Sequence, residues 1–139
     1  MRRAILTALA LVALAACVSP RAGPQQPARP GEIDLGDWRR ASPRSTAQRF
    51  TSAIAQRYGQ VRPIGQISAD LRANQFSCAA GAPSAHGLSP TQVCRRSERD
   101  RRCVHTWQVH LFATRRGGTR TRALYDRACD DDGLLGGPM

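Results

Sequence analysis

Five cysteines, three histidines and a large excess of arginine are the residues of this chain with chemistry to offer. Four of the cysteines, Cys78, Cys94, Cys103 and Cys129, fall in its second half, and Cys17 stands apart near the start. Thiols grouped this way bind a metal, act as nucleophiles or pair as disulfides. A zinc site drawing on Cys94, Cys103, His105 and Cys129 would lack the CxxC pair usual for such sites, so no metal is expected. A thiol nucleophile needs an adjacent base. His105 and His110, five apart on one strand, point to opposite faces and cannot converge on one substrate. His86 sits in a stretch of Ala, Gly, Ser and Pro that reads as a loop. There is no Gly-rich phosphate loop, GxSxG or HExxH. The expectation is therefore a chain that is not an enzyme and carries no cofactor, with no catalytic residue to name.

Disulfides remain as the expected use of the four downstream cysteines, provided the chain is exported. Three pairings exist. With strands at 91–96 and 103–113 forming a hairpin, Cys94 and Cys103 flank one turn, which favours Cys94–Cys103 and leaves Cys78 to join Cys129.

The basic residues are all arginine, 21 against 10 acids, for a formal charge of +11. Genomic base composition accounts for arginine in place of lysine but not for twice as many bases as acids. Guanidinium groups stay protonated and grip carboxylate or phosphate in a fork, so an anionic partner is the natural expectation. The densest run is Arg95-Arg96-Ser97-Glu98-Arg99-Asp100-Arg101-Arg102, with five arginines against two acids. Presented on a hairpin tip tied by a disulfide, Arg95, Arg96, Arg99, Arg101 and Arg102 form the candidate anion site, suited to lipopolysaccharide phosphates or an acidic protein face. Nucleic acid is not expected as a partner, because no aromatic residue is interleaved for base stacking.

Export is written at the N-terminus. Arg2 and Arg3 precede an uncharged run from Ala4 to Ala16, 13 residues long. A spanning helix needs about 20 apolar residues, so this is the core of a signal peptide and not a membrane span. The run ends in Leu14-Ala15-Ala16-Cys17, which resembles the lipobox of bacterial lipoproteins. That resemblance covers residues 1 to 17. It implies cleavage before Cys17, acylation of its thiol with diacylglycerol and, in many bacteria, of its new amino group, giving the two or more chains a durable anchor requires. It places the chain in the cell envelope, facing the periplasm. Val18 and Ser19 follow where an Asp would mark inner-membrane retention in that family, so the outer membrane is favoured.

These positions need elements to hold them. Residues 17–44 contain Pro20, Pro24, Pro27, Pro30 and Pro43 and read as a lipidated, flexible tether of about 30 Å. Its one apolar patch, Ile33, Leu35 and Trp38, is expected to pack on the domain or stay loose. Residues 45–129 form the domain, and 130–139 an acidic, Gly-rich tail. A first helix is capped by Ser45 or Thr46, with Gln48 as capping-box partner; Ala47, Phe50, Ile54 and Tyr58 follow helical spacing and Gly59 stops it. Ser68 caps a second, short helix ending near Asn74. Strands are expected at 91–96, 103–113 and 121–129, with an extended stretch at 76–78 and a tight turn at Arg115-Arg116-Gly117-Gly118. In the middle strand Cys103, His105, Trp107, Val109 and Leu111 share one face. The fold expected is α+β, two N-terminal helices followed by a small antiparallel three- or four-stranded meander stabilised by disulfides.

This element order, with Gly65-Gln66-Ile67-Ser68-Ala69-Asp70-Leu71 opening the second helix, is similar over residues 60 to 129 to small outer-membrane assembly lipoproteins of the BamE type. The four cysteines depart from that family's pattern. The resemblance implies a protein-binding accessory of an envelope machine. The alternative is a module binding an anionic envelope polymer through the arginine-rich tip. Lysozyme inhibition, another role of small disulfide-bonded lipoproteins, fits poorly, since a basic domain repels a basic enzyme.

Overall fold

The computed structural model describes residues 31–84 and 87–130. The signal segment, the lipobox with Cys17, most of the tether, His86 and the tail from residue 131 lie outside the described residues. Two helices, α1 (Pro43–Arg57) and α2 (Ile64–Ala73), precede four strands, β1 (Ser77–Ala80), β2 (Gln92–Arg99), β3 (Cys103–Ala113) and β4 (Thr119–Cys129). The strands form one antiparallel sheet in the order β1-β2-β3-β4. The architecture is α+β. Among the described residues no helix is long and apolar enough to cross a membrane.

Helix α1 starts three residues earlier than the Ser45 or Thr46 cap expected. Ser42 is the N-cap, its hydroxyl accepting from the Ser45 N–H at 3.2 Å, and Pro43 takes the first helical position, where its missing N–H costs nothing. Thr46 is left inside the helix, buried with Phe50 and Ile54 at four-residue spacing. Helix α2 likewise begins before Ser68, at Ile64, and buries Ile67, Ser68 and Leu71. Its end is set by Asn74 and by Gln75, which takes φ of 67° so that the Phe76 N–H reaches back to the Leu71 carbonyl at 3.0 Å.

Both helices cover one face of the sheet. His105, Trp107, Val109 and Leu111 of β3 and Cys94 of β2 are buried there, against Phe50, Ile54 and Tyr58 of α1 and Ile67 and Leu71 of α2. The alternation read from β3 is the one observed.

The segment before α1 belongs to this packing. Ile33 is 4 % exposed, and Leu35 and Trp38 lie against the core. The Ile33 N–H donates to Asn74 Oδ1 at 2.9 Å, and the Trp107 indole N–H donates to the Leu35 carbonyl at 3.2 Å. Arg57 grips Asp70 with two bonds of 2.6 and 2.7 Å and reaches the Gly31 carbonyl at 3.0 Å, tying α1, α2 and this segment together. The packed unit thus begins at residue 31, where the sequence reading placed tether up to 44.

The cysteines pair as Cys78–Cys94 and Cys103–Cys129, not as Cys94–Cys103 and Cys78–Cys129. The register explains the difference. Cys94 lies opposite Val109, six residues along β3 from Cys103 and hence about 20 Å away. Strands β1 and β4 occupy the two edges of the sheet, three strand spacings or roughly 14 Å apart. Cys78 instead faces Cys94 directly, and Cys103 faces Cys129.

Candidate functional site

The open face of the sheet is the surface with most to offer a partner. By alternation it presents Val93, Arg95, Ser97 and Arg99 from β2; Val104, Thr106, Gln108, His110 and Phe112 from β3; and Arg120, Arg122, Leu124 and Asp126 from β4. Cross-strand rows run Val93–His110–Arg122, Arg95–Gln108–Leu124 and Ser97–Thr106–Asp126. All of these side chains are partly or fully exposed. Four arginines stand against one acid on this face, with Val93, Val104, Phe112 and Leu124 between them.

Little on that face neutralises the arginines. Arg95 reaches only the Gln108 amide oxygen, at 3.4 Å, and the Arg120 guanidinium lies 5.9 Å from the Phe112 ring centroid. Among the described residues neither Arg120 nor Arg122 has a carboxylate partner. His110 feels the excess: its burial first, then the charges of Arg122 and Arg95, hold its pKa below the ordinary histidine value.

The expected five-arginine tip is not one surface. Strand β2 runs through Arg99 and β3 begins at Cys103, so only residues 100–102 form the turn. Arg95 and Arg99 face the open side. Arg96 points the other way, where its guanidinium makes bonds of 3.0 and 2.8 Å to Glu98 and one of 3.2 Å to the Asn74 carbonyl. It braces β2 against the end of α2 and is not available to a ligand. Arg101 and Arg102 are exposed on the turn.

The turn itself is built by Asp100. Its Oδ1 accepts from the Arg102 and Cys103 backbone N–H groups at 3.0 and 2.8 Å, and its Oδ2 lies 2.9 Å from His105 Nε2. These bonds, the Arg102 amide foremost, hold the Asp100 carboxyl down to about 2. On the other side of the imidazole, Nδ1 is 2.7 Å from the Tyr125 hydroxyl. Burial raises the Tyr125 pKa. An Asp–His–Tyr relay of this kind has the parts of a general base. It does not have the access: His105 is 1 % exposed, both ring nitrogens are engaged, and Trp38 packs on the ring at 4.6 Å. The simplest assignment has Nε2–H donating to Asp100 and the Tyr125 hydroxyl donating to Nδ1, with no lone pair left for a substrate. Asp100, Cys103 and His105 also lie within metal-ligand reach of one another, but the Cys103 sulfur is bonded to Cys129.

Sequence reasoning named His105 and missed Asp100, Tyr125 and Trp38, which come from a turn, another strand and the segment before α1. It also missed Arg120 and Arg122, whose alternation with Thr119, Thr121 and Ala123 along β4 was the available signal.

No family model matches this chain, and no curated protein or solved structure matches it.

Proposed function

We propose that the chain is an envelope lipoprotein, anchored by acyl chains on Cys17, that works as a non-catalytic, protein-binding accessory, docking the open face of its sheet on an acidic surface of an envelope protein. The observation that carries this reading is the asymmetry of the sheet. One face is closed by two helices, and the other exposes Arg95, Arg99, Arg120 and Arg122 against Asp126, with apolar side chains between them. Mixed arginine and apolar surface is the composition of protein interfaces, where arginine is enriched and lysine depleted. Two disulfides fit an oxidising compartment, as export to the periplasm provides.

Thirteen residues separate Cys17 from the packed unit at residue 31. Even fully extended, 13 residues reach only about 45 Å, so the domain works near its membrane. The outer membrane is the favoured location, from Val18 and Ser19. A second reading, binding of an anionic envelope polymer such as lipopolysaccharide, is favoured by the unneutralised Arg120 and Arg122.

The test is capture of partners from detergent-solubilised envelopes by the lipidated chain and by an R95S/R99S variant, at low and moderate salt. The accessory reading predicts a defined protein partner, weakened by the double substitution and held in part at moderate salt by the apolar side chains. Retention of anionic glycolipid alone, lost steeply as salt rises, supports the polymer reading and overturns the first.

A further inference from the structure

At one end of the open face Ser84, Gly87 and Leu88, from between β1 and β2, and Phe112, Arg120, Thr121 and Arg122, from β3 and β4, line an open cleft of about 550 Å³. The size is that of a small-molecule site. Next to the strands this connection is held together: the Gly81 N–H donates to the Thr91 carbonyl at 3.1 Å, and Gly81 approaches the Pro90 carbonyl too closely to admit a Cβ. Further along, the Ser84 N–H donates to the Ser89 hydroxyl at 2.7 Å. Leu88 is 77 % exposed at the mouth of the cleft.

The cleft's chemistry is divided. Arg120 and Arg122 follow one another on the same side of β4 and have no carboxylate partner among the described residues. Phe112, directly across from Arg120, steadies its guanidinium, and His110 stands directly across from Arg122 in the sheet. Phe112 and Leu88 form an apolar wall beside these groups. Two adjacent guanidinium groups carry two positive charges and suit a dianionic phosphate better than a single carboxylate.

We infer that this cleft binds an anionic amphiphile, a phosphate monoester joined to an apolar chain, with Arg120 and Arg122 on the phosphate and Leu88 and Phe112 along the chain. This site shares Arg120 and Arg122 with the open face and rests on the second reading, the binding of an anionic envelope molecule; the R95S/R99S capture experiment leaves both arginines in place, so the docking reading and this one can fail separately. The same chemistry is offered by a phosphatidic acid headgroup in a bilayer and by a soluble short-chain phosphate ester.

Titration calorimetry on the full chain with dihexanoyl phosphatidic acid, dihexanoyl phosphatidylcholine and inorganic phosphate tests the inference. The expected result is binding of the phosphatidic acid at least about tenfold tighter than either of the others, roughly 1.4 kcal/mol by the tenfold rule. R120Q/R122Q loses that preference, R101Q/R102Q keeps it, and L88S weakens the phosphatidic acid without changing inorganic phosphate. All these side chains are exposed, and unchanged circular dichroism confirms that the variants fold. Vesicles with and without phosphatidic acid, offered to the same variants, separate a bilayer source from a soluble one. If R120Q/R122Q binds like the native chain, or phosphatidylcholine binds as well as phosphatidic acid, the inference is overturned. Inorganic phosphate binding as tightly as the amphiphile overturns the role of the apolar wall and with it the ligand class.

Discussion

Removing the two disulfides one at a time tests the sheet register and the energetics together. In a chain carrying C17S, so that no other thiol intrudes, the perturbations are C78A/C94A and C103A/C129A. The bridges span 16 and 26 residues. Loop-closure entropy for those lengths gives a stabilisation of about 3.1 and about 3.5 kcal/mol at 25 °C. With an m value of about 1.5 kcal/mol/M, each loss lowers the urea midpoint by roughly 2 M. Thiol titration of the unfolded variants decides connectivity: each double variant should show no free thiol, because the remaining bridge is intact. Under the pairing Cys94–Cys103 with Cys78–Cys129, either variant would release two thiols. Two free thiols would contradict this pairing, and a stability loss under about 1 kcal/mol from both variants would contradict the energetic role of the bridges.

Other changes follow from the same contacts. Asp70→Asn removes a carboxylate that accepts two bonds from Arg57 and one of 2.7 Å from Tyr58, and should cost about 1–2 kcal/mol after allowance for its partial exposure, read as a lowered urea midpoint. Gly36→Ala places a Cβ 3.3 Å from the Thr46 Cα at a φ of 77°, and should cost about 1–2 kcal/mol in a thermal melt, with a change in Trp38 fluorescence as its segment loosens. Stability should fall as pH drops below about 6.5, because His110 resists protonation in the folded chain and gains a proton on unfolding; H110Q should flatten that slope between pH 7.5 and 5.5. A second decline is expected below about pH 4, as the carboxyls of Asp70, lowered by Arg57, and of Asp100, held at about 2, become protonated more readily in the unfolded chain.

What could be read in advance divides along physical lines. Period-2 alternation through His105, Trp107, Val109 and Leu111, and the four-residue spacing of Phe50, Ile54 and Tyr58, report a local geometry that each segment carries within itself. The α+β class followed from these. Register is different. Where β2 ends depends on Asp100 accepting from the Arg102 and Cys103 amides, and extending β2 through Arg99 carried Cys94 away from Cys103 and split the arginine run between two faces. The contact of His105 with Tyr125 and the hold of Asn74 on Ile33 join residues 20 and 41 apart in the chain. Nothing in either segment alone announces them. The segment from residue 31 looked like tether because prolines and charges flank it, yet a few apolar side chains sufficed to seat it on the core.

On the proposed reading the open sheet face, and not the helical face, meets a protein partner in the envelope. Photo-crosslinking in intact cells tests it most directly, with the crosslinking residue placed at Ser97 or Thr106 on the open face and, for comparison, at exposed Gln56 on α1. A discrete protein adduct is expected from Ser97 and Thr106 and none from Gln56. An adduct from Gln56 with none from the sheet positions would contradict it.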